Sequence, residues 1–209
     1  MSWRLSAVVT IALVLGVILA RVMQDPQSGT ATWDAARAAG FACYLLLWAS
    51  TVLGMAVHLR YRPAGGPMSW VLEGHRITGT LALSFLIGHV FALLVDPVVT
   101  SSMLAGFVPL TSTYRPLQVG LGTVSEWLLV ILLASTAFAG SMRYSLWRNV
   151  HLVSFPCYVL ALIHGITTGT DTGNMQALVI YAGSAGVVAS VAVVRVLGRG
   201  WAAAPPEPA

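Results

Sequence analysis

The sequence predicts an all-α integral membrane protein, a single bundle of six transmembrane helices with both termini cytoplasmic. Three observations carry this. Of 209 residues, 57% are hydrophobic and only 9% charged, too little polar surface for a water-soluble domain. Six apolar stretches reach the roughly 20 residues that a hydrocarbon core of about 30 Å asks of a helix. The charges between them also change sign from one side to the other, as an oriented membrane protein requires.

The spans fall at residues 5–23, 40–58, 71–95, 123–143, 147–168 and 176–197. The first follows Arg4 as a secretory signal would, but it lacks a convincing small-residue cleavage site and is long enough to span, so it is kept as a helix. Asp96 and Pro97 end the third span. The connection from Asp96 to Gly122 is the longest, and Met103, Leu104, Phe107, Val108 and Leu110 make it apolar enough to lie on the outer membrane face. Gly183, Ser184, Gly186 and Ser190 let the last helix pack closely. The Ala- and Pro-rich tail, 201–209, is expected to be disordered.

All basic residues are arginines, and the net charge of +4 would suit nucleic acid if they were clustered. Instead they alternate. A cytoplasmic N-terminus puts Arg4, Arg60, Arg62, Arg76, Arg143, Arg148, Arg195 and Arg199 inside, leaving only Arg21, Arg37 and Arg115 outside. Asp25, Asp34, Asp96, Glu126 and Asp171 fall on the outer side. Trp3, Trp70, Trp147 and Trp201 sit near the inner interface, and Trp33 and Trp127 near the outer one. The partner is therefore membrane lipid, in a multi-pass protein of a bacterial inner or plasma membrane, and not nucleic acid. Cys43 and Cys157 lie within spans and are assigned to packing. One domain, 1–200, fills the chain, and no glycine-rich dinucleotide fingerprint stands in a strand-to-helix context.

Four of the five histidines form two pairs within apolar spans: His75 and His89 fourteen residues apart, His151 and His164 thirteen apart. An imidazole inside a membrane needs a partner. Fourteen residues of helix separate His75 from His89 by about 21 Å and return them to within about 40° of one face. The third and fifth spans run in the same direction, so His151 matches His75 in depth and His164 matches His89. Each level then offers two imidazoles from two helices, as bis-histidine ligation of b-type haem requires. One such histidine is as readily explained by an internal hydrogen bond; four at matched depths are not.

Thirteen residues of ideal helix leave His151 and His164 about 140° apart in azimuth. Pro156 lies between them, so either a proline kink with local overwinding or approach of the two haems from different sides would reconcile the geometry. Gly79, one turn after His75, would let a porphyrin approach, while Gly74, Gly88 and Gly165 adjoin ligand candidates. Arg76 and Arg148 are candidates to neutralise propionates, or serve as ordinary positive-inside anchors. His58, beside Arg60 at a span end, is taken as interfacial.

The two unequal histidine intervals, with YRPLQVGLGT (114–123) and WRNVHLVSFPCYVLALIHGITTGTD (147–171), make the chain resemble the ferric reductase-like transmembrane domain, the haem core of ferric reductases and NADPH oxidases. The likeness is to its short stand-alone bacterial type and covers about residues 40–171. It implies electron flow from cytoplasmic reduced flavin to an inner haem on His75 and His151, then an outer haem on His89 and His164, then an acceptor outside. The flavin and nicotinamide domain of that family has no counterpart here. FAD or FMN would therefore come through a separate cytoplasmic flavin reductase or flavoprotein, and the chain would be the membrane component of an oxidoreductase rather than a complete enzyme.

A related assignment is the haem-binding membrane subunit that feeds electrons to a periplasmic methionine sulfoxide reductase; the complete four-histidine set fits the two-haem pattern better. A transporter or scaffold without redox chemistry is the reading from another class. Transport would call for a polar midplane site, and Glu73 and Glu126 are both expected near span ends.

Overall fold

The structure is a computed structural model that describes residues 31–61, 66–96 and 103–202. The expected first span and the tail beyond Ala202 lie outside the described residues, while Trp201 and Ala202 close the last helix. The described residues form helices α1 (Ala31–His58), α2 (Met68–Val95), α3 (Met103–Phe107), α4 (Pro116–Ala137), α5 (Tyr144–His151), α6 (Ser154–Thr168) and α7 (Met175–Ala202). Short 3-10 turns follow α4 and α6, and there is no strand among the described residues. Among the described residues five units are long and apolar enough to cross a membrane: α1, α2, α4, α5 with α6, and α7.

Two boundaries move, for local reasons. Helix α1 is already helical at Ala31, the first described residue, nine residues before the expected 40, where alanines at 31, 35, 36, 38 and 39 favour helix. Helix α4 begins at Pro116, a residue preorganised for a first turn, and ends at Ala137 rather than 143. Gly120 and Gly122 are thus inside a helix. Glu126, expected near the outer end, lies about 15 Å along α4, so its position no longer argues against an intramembrane polar site.

Helix α1 packs along α2, and α4 along α6; α1 also packs on α6 and α7, and α2 meets α4. The helices α1, α2, α4 and α6 therefore close a ring in which α2 and α6 occupy diagonal corners. Leu47, Ala82, Leu129, Leu132 and Cys157, one or two from each of the four, fill its centre. A second cluster fastens α7: Phe41 and Tyr44 of α1 pack with Tyr158 of α6 and with Ala177 and Tyr181. Within it the Tyr44 hydroxyl meets Ser184 Oγ and lies 3.3 Å from that of Tyr158, while Trp48 Nε1–H donates to Ser184 O at 3.1 Å.

One end of the bundle gathers the carboxylates. Arg37 Nε–H donates to Asp171 Oδ2 at 2.8 Å, its Nη2 pairs with Asp171 Oδ1, and Nη1 lies 3.3 Å from Asp34. Thr32 Oγ1–H donates to Asp96 Oδ2 at 2.6 Å, and Arg115 Nη1–H donates to Thr167 O. Toward the opposite end, Arg60 follows the C-terminus of α1, Arg143 caps the N-terminus of α5, Arg148 lies in the last turn of α5 and Arg76 in the third turn of α2. At that end α1 closes with a Schellman turn: Tyr61 N–H donates to Ala56 O at 3.0 Å and Arg60 N–H to Val57 O at 3.1 Å. Arg60 holds a φ of 54° there, the left-handed region that costs an L-residue about 1 kcal/mol. Arg60→Gly is expected to raise stability by about that amount, seen as a higher melting temperature in detergent.

The fifth span is broken. Pro156 has no N–H and its ring displaces the carbonyl of Leu152 from the α-helical ladder, so the chain turns at Leu152 and Val153. There Val153 N–H donates to Val150 O at 3.0 Å and Phe155 N–H to Leu152 O at 3.3 Å, both spanning three residues rather than four. Such bonds advance the chain about 120° per residue instead of about 100°. Two overwound residues, Leu152 and Val153, draw the azimuths of His151 and His164 together by about 40°, the first of the two ways the sequence leaves open for reconciling them.

Candidate functional site

Three of the four paired histidines are seated in the same way. His75 Nδ1 lies 2.8 Å from the main-chain carbonyl of Ser50, His89 Nδ1 2.7 Å from that of Ala36, and His164 Nδ1 2.9 Å from that of Gln118. A carbonyl only accepts, so Nδ1 carries the proton and Nε2 of the neutral ring keeps a lone pair. None of these three Nε2 atoms has a hydrogen-bond partner among the described residues. That is the tautomer and orientation of a metal-ligating imidazole, its other nitrogen tied to a backbone acceptor.

Each seat has a second component that the sequence analysis did not identify. A glycine stands four residues after each accepting carbonyl, one helical turn above it: Gly54 after Ser50, Gly40 after Ala36 and Gly122 after Gln118. A side chain there would cover the carbonyl. A Cβ on Gly122 would stand 2.5 Å from His164 Nδ1, one on Gly40 2.8 Å from His89 Nδ1, and one on Gly54 3.1 Å from His75 Cε1. The glycines weighed earlier have other neighbours: Gly79 faces Ser50, Gly74 faces Leu53, Gly88 faces Ala39 and Gly165 faces Tyr181. Gly79 thus serves helix packing, not porphyrin approach. A signal for the true seats was present in the sequence, since Gly40 and Gly54 repeat on α1 the fourteen-residue interval of His75 and His89 on α2.

The histidines lie at two levels. The rings of His75 and His151 are 5.8 Å apart between centroids and 76° between planes. Bonds of about 2 Å from one metal to two opposed imidazole nitrogens would put the centroids about 6 Å apart, so this pair is spaced for such sharing. His89 and His164 are within electrostatic range of one another. Between the levels lies the apolar centre of the bundle. Ala82 is seven residues from both His75 and His89, Leu47 seven from both Gly40 and Gly54, and Cys157 falls midway between His151 and His164.

His151 is different. Its Nδ1 is buried without a hydrogen-bond partner, as is Nε1 of Trp147 one turn before it. The two rings stack with centroids 5.0 Å apart and planes 24° apart, and Tyr144, itself 70% exposed, lies 5.8 Å beyond Trp147. An aromatic series thus runs from the surface at the arginine end to His75.

Arg76 and Arg148 are exposed and their guanidinium groups make no hydrogen bond or ion pair among the described residues; each lies within three residues of its histidine. His58 ends α1 and is exposed, as an interfacial residue would be. Among the described residues no three His, Cys, Asp or Glu side chains converge on one point, so no ion is caged by protein ligands alone. The described donor set offers His75 with His151 at one level and His89 with His164 at the other. Compared with known proteins, the chain matches no family model, no curated protein and no solved structure.

Proposed function

We propose that the chain is the membrane component of an electron-transfer oxidoreductase of ferric reductase-like type, with two b-type haems held by His75 and His151 and by His89 and His164. The observation that carries this reading is the seating of three imidazoles by main-chain carbonyls, which leaves Nε2 free, on α2 and α6, the diagonal helices of the four-helix ring. The chain would lie in a bacterial plasma membrane with six spans and both termini cytoplasmic.

Each residue then has a task. His75, His89 and His164 offer Nε2 from rings whose rotation is fixed, and Gly54, Gly40 and Gly122 permit that fixing. Leu47, Ala82, Leu129, Leu132 and Cys157 exclude water between the levels and supply a low-dielectric medium of fixed thickness. Arg76 and Arg148 stand where anionic propionates of the inner group would be neutralised. Bound haem would supply the one-electron chemistry. The donor is a separate cytoplasmic flavoprotein or reduced flavin, and the acceptor lies on the carboxylate side.

The test is haem stoichiometry. Purified protein is expected to show a reduced-minus-oxidised b-type spectrum with two haems per chain, and His89→Ala with His164→Ala is expected to leave one. Undiminished haem in that double variant, or none in the native protein, would sink the reading in favour of transport or scaffolding.

A further inference from the structure

The four ligand candidates are not equivalent, and the difference falls on one residue. His75, His89 and His164 are each held twice, by an Nδ1–H···O=C bond and by the glycine surface against which the ring lies. His151 has no such bond, although its Nδ1 is buried. It is the last residue of α5, immediately before the break at Leu152 and Val153, so its backbone is the least constrained of the four. What holds its ring is the stack on Trp147 and the edge contact with His75.

An outer partner on Nδ1 orients a ligating imidazole and raises its basicity, and its loss weakens metal affinity by about 10- to 100-fold. We propose that His151 is a displaceable ligand, so that the inner histidine site, and not the outer one, opens to a small neutral diatomic molecule such as carbon monoxide. This rests on the two-haem reading above. With haem bound, the exchange would be a ligand substitution in which His151 Nε2 gives up the iron to the carbon of the diatomic and no electron is transferred, while His75 would be kept by its bond to Ser50 O. The outer site would resist the same exchange because whichever imidazole left would have to give up a carbonyl partner.

Carbon monoxide added to the dithionite-reduced holoprotein reads this directly, by the shift of the Soret band. About half of the haem in the native protein is expected to respond. The double variant His89→Ala/His164→Ala, which keeps only the inner site, is expected to respond in full; His75→Ala/His151→Ala, which keeps only the outer, is expected not to respond. Trp147→Ala, which removes the stack but no ligand, is expected to tighten carbon monoxide binding about three- to tenfold, while Trp147→Phe keeps the native affinity. Two silent haems, two equally responsive haems or a response confined to the outer site would each overturn the proposal while leaving the two-haem function standing. A native protein that binds no haem would overturn both.

Discussion

Gly122→Ala is expected to remove the outer haem while the inner one stays, so that haem per chain falls from two towards one. The added methyl would stand 2.5 Å from His164 Nδ1, 2.6 Å from Cε1 and 2.8 Å from Cγ, so the ring as a whole must move. It cannot move and keep the 2.9 Å bond to Gln118 O, because that carbonyl lies in the rigid ladder of α4. Overpacking of this kind costs about 1–3 kcal/mol, and losing the orienting bond weakens a metal site by a further 10- to 100-fold. The corresponding clash is 2.8 Å at Gly40 and 3.1 Å at Gly54. Haem retention should therefore rise in the order Gly122→Ala, Gly40→Ala, Gly54→Ala. Equal retention in all three would show that the glycines serve helix packing and not the imidazoles.

The histidine pairs were legible in the sequence because depth in a membrane follows from residue count, and two matched intervals need no tertiary information. The seats were not, because each joins a carbonyl and a glycine on one helix to a histidine on another, and their register depends on how α1 lies against α2 and α4 against α6. Gly40 and Gly54 are the partial exception, repeating the fourteen-residue interval. Hydropathy misplaced the starts of α1 and α4 for one reason: Ala31–Ala39 and Pro116–Gly122 are strong helix-forming or helix-starting segments that carry little hydropathy signal. The earlier start of α4 is what moves Glu126 from a span end to the middle of the helix. Pro156 offers a phase change as one of two ways to reconcile His151 with His164, and the two short-range bonds around Leu152 and Val153 supply part of it.

Asp171→Ala is expected to destabilise the carboxylate end by about 2–3 kcal/mol and to release the outer haem on heating before the inner. The side chains of Arg37 and Asp171 are 11% and 17% exposed, so their pairing is largely shielded from solvent and salt. Removing one partner of a fully buried pair costs about 3–5 kcal/mol, because a desolvated charge is left behind; here Asp34, 3.3 Å from the same guanidinium, offsets part of that. The position makes the effect local. Arg37 adjoins Ala36, whose carbonyl seats His89, and Asp171 lies seven residues beyond His164, so this ion pair ties the ends of the two segments that position the outer imidazoles. Asp171→Asn keeps an acceptor for Arg37 Nε–H but not the charge, and should cost about half as much. A melt followed at the Soret band would show two separated losses in Asp171→Ala and one in the native protein. Coincident loss of both haems at the native temperature would mean that the ion pair does not support the outer site.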